Sequence, residues 1–202
     1  MSAQPVLAAT NLTLSRGGRE LFSNLSFELK PGRIVQIEGA NGAGKTSLLR
    51  ILSGLSRYGF EGTFSCAVPC LYLGHNSAVK GMLSPRENLS LHVAGRGDHP
   101  SSDIDEALAR VGLYGYEEVL SHRLSAGQLR RVNLARLYLS DCPLWLLDEP
   151  FTAIDKTGVA ELEQLFVRHA QAGGAVIMTS HQTLSLDYPV HTLNLREGMV
   201  SG

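Results

Sequence analysis

A glycine-rich segment of eight residues constrains the fold of this chain more than any other feature. It reads Gly39-Ala40-Asn41-Gly42-Ala43-Gly44-Lys45-Thr46 and fits the pattern Gly-x-x-x-x-Gly-Lys-Ser/Thr. A β-rich run, 34–38, precedes it, and a run with helical spacing, 46–52, follows it. Glycines let backbone N–H groups turn towards an anion, and a helix N-terminus adds partial positive charge. The sequence therefore predicts a phosphate-binding loop between a strand and a helix.

Two side chains of this loop have separate expected roles. Lys45 can neutralise the β- and γ-phosphates of a nucleotide, and Thr46 can offer its hydroxyl to Mg²⁺. We expect the whole loop, 39–46, and the adjoining Ser47 to contact the nucleotide.

An acidic pair ends a second predicted strand. The unbroken apolar run 144–147 leads directly into Asp148 and Glu149, and Pro150 stops the strand. Successive strand side chains point to opposite sides, so the two carboxylates can serve different purposes. We assign Asp148 to Mg²⁺ and Glu149 to orienting or deprotonating a water that attacks the γ-phosphate.

Composition indicates one domain and offers no sign of a nucleic-acid partner. The chain has 202 residues and a formal charge of −1, so no basic field is present. Three cysteines without a Cys-x-x-Cys spacing argue against a disulfide framework or a zinc site. We find no signal peptide and no membrane-spanning segment, and expect a cytosolic chain that meets a membrane only as a peripheral subunit.

Helices alternate with buried strands over much of the chain, which predicts an α/β fold with a mostly parallel sheet. The alternating runs 6–14 and 25–29 predict a hairpin-rich start, and 158–171 and 175–179 predict a helix and a strand. The middle of the chain is mostly helical in pattern. We expect a single domain with a core of about 1–74 and 141–202 and an inserted helical lobe of about 77–140.

The segment Leu124-Ser125-Ala126-Gly127-Gln128, ahead of a predicted helix over 129–140, distinguishes between classes of phosphate-loop enzyme. Here the chain resembles the ABC ATPase family, whose signature is Leu-Ser-Gly-Gly-Gln. The Ser125 hydroxyl, the Gly127 N–H and a helix N-terminus can form an anion-binding corner. The resemblance implies the P-loop ABC ATPase fold, with an antiparallel N-terminal β subdomain, and hydrolysis of ATP.

The resemblance extends over nearly the whole chain. Residues 151–155 stand where the family has its D-loop, and His181 stands at the family's switch histidine, which implies a contact with the γ-phosphate. The family's working form is a dimer in which Ser125, Gly127 and Gln128 of one subunit contact the nucleotide held by the other. A second copy of this chain is therefore the first expected partner.

Three positions depart from the family pattern. Ala126 replaces the first signature glycine, and its Cβ disfavours a positive φ. Arg16 replaces the aromatic residue that stacks on adenine, although a guanidinium can also stack on rings. At the metal-sensing Q-loop position, spacing places His75 where the family has glutamine, with Asn76 as the alternative occupant.

Within the family, the chain resembles the ATP-binding subunits of bacterial cytochrome c maturation haem exporters in its short length, in the segments 74–76 and 124–128, and in the run 147–155. That resemblance implies integral membrane partners, a location at the cytoplasmic face of the inner membrane, and export of haem or release of a haem-loaded chaperone. Nothing in the residues selects haem, which we expect on a partner. The alternatives are a soluble ABC ATPase acting on nucleic acid or the ribosome, an ABC exporter of another substrate, a noncatalytic ABC-like subunit, and a small-molecule kinase.

Overall fold

The computed structural model describes residues 4–93, 101–180, 184, 186–195 and 199–201. Contacts divide the chain into two compact units. The first comprises Met1–Tyr72, Cys142–Pro150 and Leu162–Gly202, and the second comprises Leu73–Asp141 and Phe151–Glu161. Among the helices of the described residues, none combines the length and apolar character that spanning a bilayer requires.

The described elements are nine strands and five α-helices. The strands are β1 (Leu7–Arg16), β2 (Arg19–Leu29), β3 (Ile34–Glu38), β4 (Glu61–Cys66), β5 (Cys70–Leu73), β6 (Leu144–Asp148), β7 (Ala175–Thr179), β8 (Val190–Asn194) and β9 (Met199–Ser201). The helices are α1 (Lys45–Leu52), α2 (Pro85–Val93), α3 (Ser101–Arg110), α4 (Ala126–Ala135) and α5 (Lys156–Gln171), with a 3₁₀ turn at Ser121–Arg123.

A three-stranded antiparallel sheet with the order β2-β1-β4 begins the first unit. Gly17 and Gly18 connect β1 to β2, and both have positive φ, 58° and 75°. Such a two-residue turn matches the twist of the strands it joins, because glycine adopts positive φ without steric cost. The predicted hairpin-rich start is confirmed.

The second sheet of this unit has the order β5-β6-β7-β3-β8-β9. Strands β6, β7, β3 and β8 run parallel, and β9 is antiparallel to β8. Every residue of β6 and β7 is buried, as their unbroken apolar sequences predict. The carboxyl ends of β6, β7 and β3 therefore lie at one edge, where ligands of parallel sheets commonly bind.

An aromatic residue of β6 stacks on a histidine of α5. Trp145 is 2% exposed, and its ring lies 3.7 Å from that of His169 on α5, with the two planes 6° apart. The His169 Nε2 atom lies 3.2 Å from the Pro143 carbonyl oxygen. Burial lowers the pKa of His169, although its hydrogen bond to Pro143 acts in the opposite direction. A Cβ at Gly174 would collide with the His169 imidazole, so this packing favours glycine there.

The second unit has its own apolar core, built from α2, α3, α4 and the segments that join and follow them. Its buried members are Leu89, Ile104, Ala107, Leu108, Leu113, Leu124, Val132, Ala135 and Leu139. Two arginines of the α4 region bind the segment that follows β5. Arg130 donates to the Gly74 carbonyl oxygen at 2.7 Å, and Arg136 donates to that of Ala78 at 2.7 Å.

Helices α4 and α5 begin two or three residues earlier than their sequences predict. Helix α4 begins at Ala126 rather than 129 and ends at Ala135, and α5 begins at Lys156 rather than 158. Capping side chains explain both starts, because Ser125 caps α4 and Asp155 accepts the Gly158 N–H at 2.8 Å. The predicted α/β fold is confirmed.

Candidate functional site

The glycine-rich loop follows β3 and turns directly into α1. Gly39, Gly42 and Gly44 have positive φ values of 155°, 77° and 101°, which residues with a Cβ rarely adopt. Gly44 also lies so close to Phe22 that a Cβ there would be 3.1 Å from its ring. Helix α1 begins without a side-chain cap, so the N–H groups of its first turn can bind an anion.

Lys45 folds back over this loop. Its Nζ donates to the carbonyl oxygens of Gly39 at 2.7 Å and Ala40 at 3.3 Å, and the residue is only 9% exposed. The ammonium group therefore lies over the loop itself. A phosphate chain bound to the loop would therefore lie close to the positive charge of Lys45.

A network of four residues joins the ends of β6 and β7 to the start of α1. The Thr46 hydroxyl donates to Asp148 Oδ1 at 3.2 Å, and the Thr179 hydroxyl donates to the same oxygen at 2.8 Å. Thr179 Oγ1 in turn accepts the Glu149 N–H at 2.9 Å. Asp148 is 2% exposed, whereas Glu149 is half-buried. The first unit thus brings Thr46, Asp148 and Glu149 together.

Glu149 has a left-handed backbone conformation, with φ of 51°. Glutamate has no side-chain preference for this region, so the conformation carries strain that its surroundings must offset. The turn comes immediately after the buried Asp148 and redirects the chain at the end of β6.

The signature segment lies in the second unit, at the start of α4. Ser125 Oγ accepts the Gln128 N–H at 3.2 Å, and Gln128 Oε1 accepts the Ser125 N–H at 2.9 Å, so the two residues form a capping box. Ala126 is the first helical residue and does not have a positive φ. The methyl group at this position is therefore compatible with the loop. Gly127 lies close to the Ala153 carbonyl oxygen, which would be 3.5 Å from a Cβ there.

An ion pair within the second unit ties α4 to the segment that follows Glu149. Arg131 Nη2 lies 2.7 Å from Asp155 Oδ2. The hydrogen bond from the Gly158 N–H, followed by the one from Arg131, lowers the pKa of Asp155. The signature helix and the D-loop position predicted at 151–155 are thus connected through side chains.

Three other predicted site residues lie at the end of β1, after β5 and in the first turn of α1. Arg16 is exposed at the end of β1 and pairs with Arg19 across the hairpin. His75 is exposed in the second unit, and its carbonyl oxygen accepts a bond from Arg130 at 3.3 Å. Ser47 is half-buried in the first turn of α1. His181 lies outside the described residues.

A cavity of about 260 Å³ adjoins the phosphate loop in the first unit. Its lining comprises residues 19–23 of β2, residues 40–43 of the loop and Leu195. Arg19 and Glu20 make its wall charged, and Leu21 adds a half-buried apolar side chain.

Sequence reasoning missed the roles of Thr179 and Arg131. Thr179 is the polar end of an apolar strand, which is the signal that could have identified it. Its partner is evident only from the register, in which Asp148 pairs with Thr179. Arg131 gave no signal, because its contact with Asp155 spans 24 positions of sequence.

A family model decides between the classes of phosphate-loop protein. The model of the ABC transporter family matches residues 22–152, well over half of the chain. The chain belongs to the ABC transporter family. This ABC ATPase is thus an ATP-binding, ATP-hydrolysing transporter subunit, as its signature segment indicates.

Two relatives are similar to this chain in sequence, and one solved structure is similar to it in fold. It is 52% identical over 199 residues to the cytochrome c biogenesis ATP-binding export protein CcmA of Shewanella oneidensis, covering 92% of this chain and 91% of the relative. CcmA of Colwellia psychrerythraea is 50% identical over 194 residues, covering 91% and 88%. A dimeric ATP-binding cassette in a post-hydrolysis state, bound to ADP and Pi, superposes with a TM-score of 0.83 over 97% of each chain. At 21% identity, that last likeness concerns the fold.

Proposed function

We propose that this ABC ATPase uses Mg²⁺ and ATP to drive haem export, or release of a haem-loaded chaperone, in cytochrome c biogenesis. The observation that carries the hydrolytic part is the network in which Thr46, Asp148 and Glu149 meet at the end of β6. The biological part rests on the relatives named CcmA, which match about nine-tenths of the chain. That match favours the exporter over a soluble ABC ATPase acting on nucleic acid.

The residues fit a magnesium ion. The Thr46 hydroxyl and an Asp148 carboxylate oxygen lie 3.2 Å apart, and both are hard oxygen ligands of the kind that Mg²⁺ prefers. When bound, the ion supplies charge neutralisation to the phosphate oxygens. Thr46 and Asp148 would hold it, and His75, with Asn76 as the alternative, would be a further ligand at the Q-loop position.

Lys45 and the loop 39–46, with Ser47, bind the phosphates of ATP. Lys45 exchanges its bonds to the Gly39 and Ala40 carbonyl oxygens for bonds to phosphate oxygens, which carry more negative charge. Arg16 stacks its guanidinium on the adenine ring.

Glu149 orients the attacking water and accepts its proton, while His181 donates a hydrogen bond to the γ-phosphate. Water attacks the phosphorus, and the bond from phosphorus to the ADP oxygen breaks. A half-buried carboxylate at the end of a strand suits this task, because its position is fixed and it still reaches solvent.

The working form contains two copies of the chain. Ser125, Gly127 and Gln128 of one copy contact the γ-phosphate bound by the other, through a hydroxyl, backbone N–H groups and the start of α4. A solved cassette of the same fold is dimeric, which supports this arrangement. The dimer works with integral membrane subunits at the cytoplasmic face of the inner membrane, and haem binds to a partner.

The proposal is tested with a tagged form of the chain, wild type and Glu149→Gln, purified from membranes. Glu149→Gln removes the proton acceptor but keeps the size of the side chain, so we expect ATP binding to persist and steady-state hydrolysis to fall at least about 100-fold. Both are measured on the same preparation, with Glu28→Gln on β2 as a matched control at an exposed glutamate. Retained turnover would remove Glu149 from this role.

The same purification addresses the partners. We expect integral membrane proteins to be recovered with both the wild type and Glu149→Gln, since the substitution leaves the fold intact. Recovery of nucleic acid or ribosomal proteins from a soluble fraction, without membrane proteins, would contradict the exporter assignment.

A further inference from the structure

Thr179 ends β7 and has no part in the function proposed above. The four residues before it in the strand are apolar, and the threonine itself is 1% exposed. Its hydroxyl accepts the Glu149 N–H at 2.9 Å and donates to Asp148 Oδ1 at 2.8 Å. One buried hydroxyl thus contacts both acidic residues.

We propose that Thr179 is a positioning residue for ATP hydrolysis, which sets the direction of the Glu149 carboxylate and the orientation of the Asp148 carboxylate. The inference rests on the roles proposed for those two residues. Its specific content is that a hydroxyl at position 179, rather than the shape of the side chain, fixes the geometry of both.

The bond from the Glu149 N–H to Thr179 holds a left-handed backbone conformation. Among the described non-glycine residues, Asn11, Asn24 and Ala153 share its left-handed conformation, with φ of 53°, 51° and 62°. The N–H groups of Asn11 and Asn24 are also bonded to hydroxyl oxygens, of Ser26 at 2.8 Å and Thr13 at 3.0 Å. Asparagine tolerates this conformation, whereas glutamate has no such preference. At Glu149 the bond to Thr179 stabilises a backbone conformation that the side chain itself does not favour.

The register of the sheet makes position 179 the suitable one. Asp148 and Thr179 are paired residues at the carboxyl ends of the parallel strands β6 and β7. The preceding pair, Leu147 and Met178, carries no hydroxyl. A hydroxyl one residue earlier would point to the other face of the sheet.

Asp148 Oδ1 accepts hydrogen bonds from two hydroxyl groups, and the two donor residues differ in burial. Thr46 is exposed, so its hydroxyl can change partner when a ligand binds, whereas Thr179 is buried. The bond from Thr179 therefore persists and holds the carboxylate while the bond from Thr46 is exchanged.

Hydrolysis by the full chain purified from membranes tests the proposal. Thr179→Val keeps the branched shape and removes the hydroxyl, and Thr179→Ser keeps the hydroxyl. We expect kcat of Thr179→Val to fall about 10- to 100-fold, the range expected when a reacting group is misplaced. The KM of Thr179→Val should be unchanged, and so should its affinity for ATP measured without divalent cation. Thr179→Ser should have the wild-type kcat. The matched control is Thr13→Val, which removes the same kind of bond at Asn24 and should leave kcat unchanged.

A second readout needs neither nucleotide nor activity. In chain labelled with ¹⁵N-glutamate, the Glu149 amide signal is identified by its loss in Glu149→Gln. We expect its hydrogen exchange to accelerate in Thr179→Val and to stay slow in Thr179→Ser, because only serine preserves the acceptor. Thr179→Ala and Thr179→Cys are compared by the same two readouts if the valine variant does not fold.

The outcomes separate this inference from the function on which it rests. Wild-type kcat in Thr179→Val, or a loss in Thr179→Ser as large as in Thr179→Val, overturns the positioning role. If Glu149→Gln abolishes turnover and Thr179→Val does not, only the role of Thr179 is wrong. If Glu149→Gln turns over normally, the proposed function itself is wrong, whatever the amide exchange shows.

Discussion

Ser125 stands where helix stability and phosphate binding compete for one hydroxyl. In this structure the hydroxyl caps α4 through the Gln128 N–H, and Gln128 returns a bond to the Ser125 N–H. The function proposed for the signature segment directs the same hydroxyl at a phosphate of the second copy. Substitutions at Ser125 can separate the two roles.

Ser125→Asp should keep the helix and lose the hydrolysis. Aspartate is as good an N-cap as serine and suits the positive end of the helix, but its charge repels a phosphate. Ser125→Ala, in contrast, should lower the free energy of unfolding by about 1 kcal/mol through loss of the cap. Urea unfolding and steady-state hydrolysis, measured on both variants, check the prediction. Wild-type turnover by Ser125→Asp would show that no phosphate approaches this corner.

At the scale of elements, the α4 region binds the segment after β5 through buried guanidinium groups. Arg136 is 7% exposed, and burial lowers its pKa. Its Nη1 donates to Asn133 Oδ1 at 2.9 Å, and its Nη2 donates to the Ala78 carbonyl oxygen at 2.7 Å. A planar fork with two donors suits this pair of acceptors.

Arg136→Lys should therefore destabilise the chain although it preserves charge. One ammonium group does not reach both acceptors with the same geometry, so we expect a loss of about 1–3 kcal/mol in the free energy of unfolding. Arg110→Lys is the matched control, because Arg110 forms an exposed pair with Glu106 on α3. Its effect should stay below about 0.5 kcal/mol. Equal urea midpoints for the two variants would contradict the prediction.

The sequence predicts elements well where one local pattern suffices. The loop 39–46 and the pair Asp148 and Glu149 carry their geometry in a few adjacent residues, since the motif itself dictates strand, turn and helix. The start of α4 was predicted three residues late, because a reciprocal cap is a matter of side-chain direction. The role of Thr179 depends on which residue of a neighbouring strand lies opposite, and no local pattern contains that.

At the scale of the whole molecule, burial of histidines makes stability depend on pH. Burial lowers the pKa of His169, and burial together with Arg33 lowers that of His191. A histidine with a lowered folded-state pKa is protonated first in the unfolded chain. The contribution of these neutral histidines to stability is therefore fully present above the unfolded-state pKa of about 6.5. It is lost as the pH falls from there towards the folded-state pKa.

The free energy of unfolding should accordingly decrease as pH is lowered below about 6.5, by at most about 1.4 kcal/mol per pH unit for each proton. His169→Phe keeps an aromatic ring against Trp145 and has no proton to bind, so its stability should fall less steeply with acid. Urea unfolding at a series of pH values measures the two slopes. Identical slopes would mean that His169 does not contribute.

The sequence does not predict which of the two units each segment belongs to. Residues Phe151–Glu161 follow Glu149 closely in the chain, yet their contacts group them with the helical segments. The ion pair of Arg131 with Asp155 is one such contact. Such contacts between distant positions are not visible in a local pattern. The lobe limits of 77–140 remain a prediction.

The stack of Trp145 on His169 gives the chain a built-in optical probe. The sequence has one tryptophan, so all indole fluorescence comes from that buried ring. A positive charge 3.7 Å from an excited indole changes its emission, and exposure to water shifts the spectrum to longer wavelengths. Protonation of the imidazole and opening of the first unit can therefore be followed separately, by intensity and by wavelength, in unlabelled protein.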